Sequence, residues 1–131
     1  MQHYTENEIA KIVLDEAIAI HRKYGPGLLE SFYEKVLHAR LRKRGLHAIR
    51  QQAIKVYDED LEAEEVAFRA DLLVETKVIL ELKSAKQLQL EDRKQLWTYL
   101  RLCDVKLGLL LNFGATLMKD GIVRMVNGLD E

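Results

Sequence analysis

Two apolar runs set almost back to back constrain this chain most. Val66–Val74 and Lys77–Lys83 are separated by only Glu75-Thr76. Both runs are rich in Val, Ile, Leu and Phe, which suit a pleated, half-buried strand. So short a connection predicts a tight antiparallel hairpin. Strand side chains alternate, so Val78, Leu80 and Leu82 share one face while Ile79, Glu81 and Lys83 share the other. Folding at the turn also brings Asp71, on the first strand, close to Glu81 on the second.

An acid flanked by Ala70, Leu72 and Leu73 is expensive to bury unless something compensates it. Carboxylates on two adjacent strands could hold a hard cation such as Mg²⁺ through oxygen ligands. Such a cation lowers the pKa of a bound water and neutralises charge when a phosphodiester is attacked. Lys83 would then orient or activate that water and help stabilise the transition state. A plain salt bridge between Lys83 and one acid satisfies the same pattern, and alternation alone does not choose between the two.

Upstream, Thr5-Glu6-Asn7-Glu8 has the form of a capping box. Ile9, Ile12, Val13, Ala17 and Ile20 recur at helical spacing, predicting a helix from Glu6 to Tyr24 that stops at Gly25-Pro26-Gly27. A second helix is predicted from Leu28 to Arg44, with Leu29, Phe32, Tyr33, Val36, Leu37 and Leu41 as its apolar face. Gly45 closes it. Ala48–Tyr57 reads as a strand, Leu88–Cys103 as a third helix, Val105–Phe113 as a doubly buried strand and Gly121–Asn127 as a last short one. The order ααβββαββ predicts an α/β domain over residues 1–131, a mixed sheet covered by helices.

Charge is segregated along the chain. Residues 21–55 carry nine Lys or Arg against Glu30 and Glu34, a net of +7, while residues 56–75 carry eight acids against Arg69, a net of −7. The total of −1 therefore hides a basic stretch, densest at Arg40, Arg42, Lys43 and Arg44. It reads either as a face for a phosphate backbone or as a solvated helix surface.

No apolar run reaches the roughly 20 residues that span a bilayer. The first residues, Met-Gln-His-Tyr-Thr-Glu-Asn-Glu, lack the pattern of a signal peptide, so a cytoplasmic protein is expected. Cys103 is the only cysteine, which leaves no disulfide framework, and the four histidines lack metal-ligand spacing. Cys103, Trp97 and Phe113 are expected in the core.

Gly27, Glu30 and Tyr33 form a G-x-x-E-x-x-Y pattern at the start of the second helix, with Glu30 and Tyr33 sharing a face. On these residues, together with Phe68-Arg69-Ala70-Asp71, Ile79-Leu80-Glu81-Leu82-Lys83, Gln95, Tyr99-Leu100 and Gly108–Gly114, the chain resembles the GxxExxY family. That family is a branch of the PD-(D/E)XK nuclease-like superfamily, and the resemblance runs from about Ile12 to Asn127. It implies a restriction-endonuclease-like αβββαβ core, with Asp71, Glu81 and Lys83 as the D…E-x-K set. It implies Glu30 as a further metal ligand, Gln95 as a glutamine contacting the site, and Tyr33 as a hydrogen-bond donor to a carboxylate or phosphate or a packing residue.

The expected activity is Mg²⁺- or Mn²⁺-dependent hydrolysis of DNA, with a homodimer acting on two strands by analogy. The alternative expectation is a nucleic-acid-binding or regulatory module that keeps the fold without turnover and uses Arg40–Arg44 for phosphate contacts. The acidic stretch Asp58–Glu65 departs from the short turn usual in relatives, and is expected to project away from the site.

Overall fold

A computed structural model describes residues 3–130; Met1, Gln2 and Glu131, the ends of the expected domain, lie outside the described residues. The helices are α1 (Glu6–Tyr24), α2 (Glu30–Lys43) and α3 (Leu90–Cys103). The strands are β1 (Ala48–Val56), β2 (Glu65–Val74), β3 (Val78–Lys83), β4 (Leu107–Asn112) and β5 (Ile122–Val126), with a 3-10 turn at Met118–Gly121. They form one mixed sheet in the order β1-β2-β3-β4-β5. Every neighbouring pair is antiparallel except β3 and β4, which run parallel because α3 crosses between them.

Local chemistry sets the helix limits. Thr5 Oγ1 accepts the Glu8 N–H at 3.1 Å and Glu8 Oε1 accepts the Thr5 N–H at 2.9 Å, so the capping box starts α1 as the sequence predicts. Gly25 ends it at φ +66°, in the left-handed region that glycine tolerates. Tertiary packing trims α2. Leu29 is 75% exposed at its N-cap and Phe32 is 37% exposed, its ring packed edge-to-face with Tyr24, so neither joins the core face expected of them. Tyr33, Leu37 and Leu41 do.

Two apolar layers result. α1 and α2 cover one face, over Leu72, Val74, Val78, Leu80, Leu82, Leu107, Leu109 and Leu111. On the other face, Leu96 and Leu100 of α3 pack over Ile79 and Leu110. Gly108 permits that approach, since a methyl there would lie 2.9 Å from Leu96 Cδ1. β3 is therefore buried on both sides, and Ile79 and Glu81 face α3. Trp97 is 40% exposed on α3 rather than part of the core, whereas Phe113 is fully buried against Tyr33. Asp58–Glu65 closes the β1–β2 hairpin, about 20 Å along β2 from Asp71 at the usual strand rise.

Candidate active site

The hairpin expected at Glu75-Thr76 is present; both residues take positive φ, as a tight hairpin turn demands. β2 and β3 pair only over Leu72–Leu80, Leu73–Ile79 and Val74–Val78. Beyond Leu72, β2 stays with β1 and β3 stays with β4, so the two strands part. Side chains take over the bonding at that fork. The Asp71 N–H donates to Glu81 Oε1 at 3.3 Å, and the Leu82 N–H donates to Asp71 Oδ2 at 2.8 Å. Asp71 and Glu81 are thereby locked across the fork, as the sequence places them.

Glu81 is 7% exposed. Burial, and then the charge of Asp71, push its carboxyl up to about 9, while the Asp71 N–H and the Lys83 charge pull the other way. Lys83 lies two residues on, with Nζ 3.7 Å from Asp92 Oδ1 at the start of α3. Asp92 also accepts the Gln89 N–H at 2.9 Å, so the end of the helix that holds Lys83 is itself fixed.

Gln95 and Tyr99 stand one turn apart on α3. Burial first, then the charges of Glu81 and Asp71, push the Tyr99 phenol above its usual range, with a hydrogen bond to Gln95 opposing them. The Tyr99 ring stacks on Phe68 at 3.7 Å. Tyr99 was visible in the sequence as an i+4 partner of Gln95, but its nearness to the acids is a tertiary fact.

Glu30 lies at the rim. Its Oε1 accepts the Ser84 N–H at 3.2 Å, and Ser84 Oγ donates to Leu28 O at 2.8 Å, which ties the start of α2 to the end of β3. An open depression of about 570 Å³ lies against this tie, lined by Gly27, Leu28, Leu29, Glu30, Ser31 and Ser84. Among the described residues no three His, Cys, Asp or Glu side chains stand close enough to share a metal ion, so Glu30 is not gathered into one set with Asp71 and Glu81. A buried Glu81 and a half-buried Asp71 that repel each other still suit a hard cation, because Mg²⁺ commonly takes one or two carboxylates and keeps several waters.

Tyr33 is fully buried, and its hydroxyl donates to Gly25 O at 2.6 Å and accepts the Leu28 N–H at 3.2 Å. It shapes the loop before α2 and presents no surface to a phosphate, which corrects the nucleic-acid contact expected of it. Arg40, Arg42, Lys43 and Arg44 lie at the far end of α2, about 15–20 Å from Glu30 at the helical rise. Arg44 is engaged there by Glu16 at 2.8 Å. The fold does not bring this basic cluster beside the carboxylates.

Three residues near the site carried no motif signal. Glu34 is buried on α2, one turn after Glu30, and pairs with Arg50 at 2.8 Å. Gln51 Nε2 donates to Glu34 Oε1 at 2.7 Å and to Asp71 Oδ1 at 3.3 Å. The one available signal was Glu34 itself, an acid among the apolar positions Tyr33, Leu37 and Leu41.

The loop after β3 is also pinned. Asn112 Oδ1 accepts the N–H groups of Ala85 and Gly114, both at 3.0 Å, and Asn112 Nδ2 donates to Ala85 O at 3.0 Å. The Phe113 N–H donates to Lys83 O at 2.8 Å. These bonds hold the backbone immediately after Glu81 and Lys83.

Comparison with known proteins bears on this arrangement. The family model of the PD-(D/E)XK nuclease superfamily matches residues 7–125. No curated protein and no solved structure matches the chain.

Proposed function

Because the chain belongs to the PD-(D/E)XK nuclease superfamily, we propose that it is a divalent-metal-dependent nuclease hydrolysing phosphodiester bonds of DNA. The observation that carries this reading is the interlocked pair of Asp71 and Glu81, with Lys83 two residues further along the same strand. Gly27, Glu30 and Tyr33 support placement in the GxxExxY branch.

Asp71 and Glu81 would hold the cation, with Glu30 as a further acid approaching from the rim. A bound Mg²⁺ or Mn²⁺ would supply Lewis-acid activation of water and charge neutralisation at the phosphate. Lys83, steadied by Asp92, would orient the attacking water and donate to a phosphate oxygen as charge builds. Gln95, beside Tyr99, would help position the water or the phosphate. The substrate strand would enter over the depression at Gly27–Ser31, leaving the acidic loop Asp58–Glu65 at a distance. A cytoplasmic location belongs to the same proposal; among the described residues, no helix is long and apolar enough to cross a membrane. A homodimer cutting two strands is part of it by analogy.

The basic end of α2 favours a second reading, a nucleic-acid-binding or regulatory module without turnover. Arg40, Arg42 and Lys43 are the contacts it would use.

The test titrates Mg²⁺ and Mn²⁺ into the protein with labelled single-stranded, duplex and branched DNA, beside Glu81→Ala and an EDTA control. Metal-dependent cleavage that vanishes in Glu81→Ala supports the nuclease. Salt-dependent binding with no cleavage in either metal refutes it and favours the module.

A further inference from the structure

Among the described non-glycine residues, four take a positive φ. Glu75 and Thr76 do so in a hairpin turn, and Asp104 at a helix end, where the left-handed conformation is common. Gln51, at φ +52°, lies inside a strand. The ladder continues on both sides of it, with Arg50 opposite Leu72 and Gln52 opposite Ala70, so β1 does not end there. An L-residue held this way within a paired strand is strained, and something in its surroundings must compensate.

The compensation lies in its side chain. Two contacts from the Arg50 guanidinium, at 2.9 and 2.8 Å, fall on Glu34 Oε2. They neutralise a buried acid that would otherwise repel Asp71, and they leave Glu34 Oε1 to accept from Gln51 Nε2 at 2.7 Å. With its nitrogen turned toward Glu34, the Gln51 amide aims its second proton at Asp71 Oδ1, 3.3 Å away. The other Asp71 oxygen is held by the Leu82 N–H. Each Asp71 oxygen thus has one neutral donor, which fixes the plane of the carboxylate and its free lone pairs.

We propose that Gln51 is a positioning residue for Asp71, itself held by the Glu34–Arg50 pair, and that it sets how well Asp71 binds a divalent cation. The inference rests on the metal-dependent reading above. Partners one shell out from a metal ligand act in this way, and losing one typically costs about 10–100-fold in affinity or activity.

The test compares the wild type, Gln51→Gly and Gln51→Leu by Mg²⁺-dependent thermal shift and by the Mg²⁺ dependence of DNA cleavage. Glycine adopts φ +52° freely, so a purely architectural Gln51 predicts a Gly variant with wild-type Mg²⁺ response. Positioning predicts the Mg²⁺ midpoint of Gln51→Gly raised about 10–100-fold in both assays whatever its metal-free Tm, in which relief of the left-handed strain opposes loss of the bond to Glu34. KM for DNA stays unchanged. An unaltered midpoint in Gln51→Gly overturns the proposal, and that variant decides alone if Gln51→Leu does not fold. A wild-type protein whose Tm ignores Mg²⁺ overturns both this inference and the metal-dependent reading. An altered Gln51→Gly midpoint in a protein that cuts no DNA upholds the positioning and sinks only the nuclease.

Discussion

Asp71 and Glu81 bind each other's strands. The Asp71 N–H reaches Glu81 Oε1 at 3.3 Å, while Asp71 Oδ2 takes the N–H of Leu82, the residue after Glu81. Where β2 and β3 separate, these two acids replace the ladder hydrogen bonds that the strands no longer make. The pair proposed to hold the cation therefore also seals the fork, and the two roles can be separated by experiment.

Activity separates them first. Asp71→Ala, Glu81→Ala and Lys83→Ala should each reduce metal-dependent DNA cleavage by at least about a hundredfold, with a native circular-dichroism spectrum. Lys83→Ala is the cleanest of the three, because the Lys83 side chain pairs with Asp92 at 3.7 Å and takes part in neither strand-sealing bond. Wild-type rates in all three would end the assignment.

Stability against pH should carry the signature of Glu81. Its carboxyl ionises near 9 in the folded chain, above the 4.5 usual for a glutamate. In the metal-free protein its contribution to stability is complete below pH 4.5 and is lost as pH rises through about 9, because only the unfolded chain gives up its proton early. Urea unfolding in EDTA across that range should show the decline in the wild type and a flatter profile in Glu81→Gln. Parallel profiles would show that Glu81 is not the group responsible. Mg²⁺ binding should release a proton, measurable as a buffer-dependent heat.

Tyr33→Phe should act on stability rather than on substrate. Removing the hydroxyl leaves Gly25 O without its donor and the Leu28 N–H without its acceptor. The expected loss is about 1–2 kcal/mol in urea unfolding, with DNA affinity changed by less than about tenfold. A larger affinity loss at unchanged stability would return Tyr33 to the binding surface.

Gly114→Ala should damage the site from behind. A methyl at Gly114 would collide with the Ala85 backbone, which cannot swing aside as a flexible side chain could. The expected cost is about 1–3 kcal/mol. Cleavage should fall with it, because Ala85 and Ser84 carry the chain out of β3 beside Lys83 and Glu30. A lowered Tm with full activity would show that the latch is independent of the site.

Periodicity was enough for much of this molecule. The alternation in 77–83 assigned Glu81 and Lys83 to one face, and the two-residue turn brought Asp71 to Glu81. The capping box at Thr5 and the left-handed Gly45 were readable because their causes are local. Trp97 and Leu29 were misjudged for a related reason. An apolar residue on a helix predicts burial only if something packs there, and nothing in the sequence says whether the facing surface is covered.

By itself, then, the sequence determined the elements, the hairpin and the acids on it, since these follow from spacing within one stretch of chain. Tertiary structure decided where β2 and β3 part, which residues seal the fork and how Glu34, Arg50 and Gln51 reach Asp71. It also buried Tyr33 against Phe113. These are relations between side chains far apart in the chain. They depend on the register of β1 against β2 and on the seating of α2 over the sheet, which no single segment encodes.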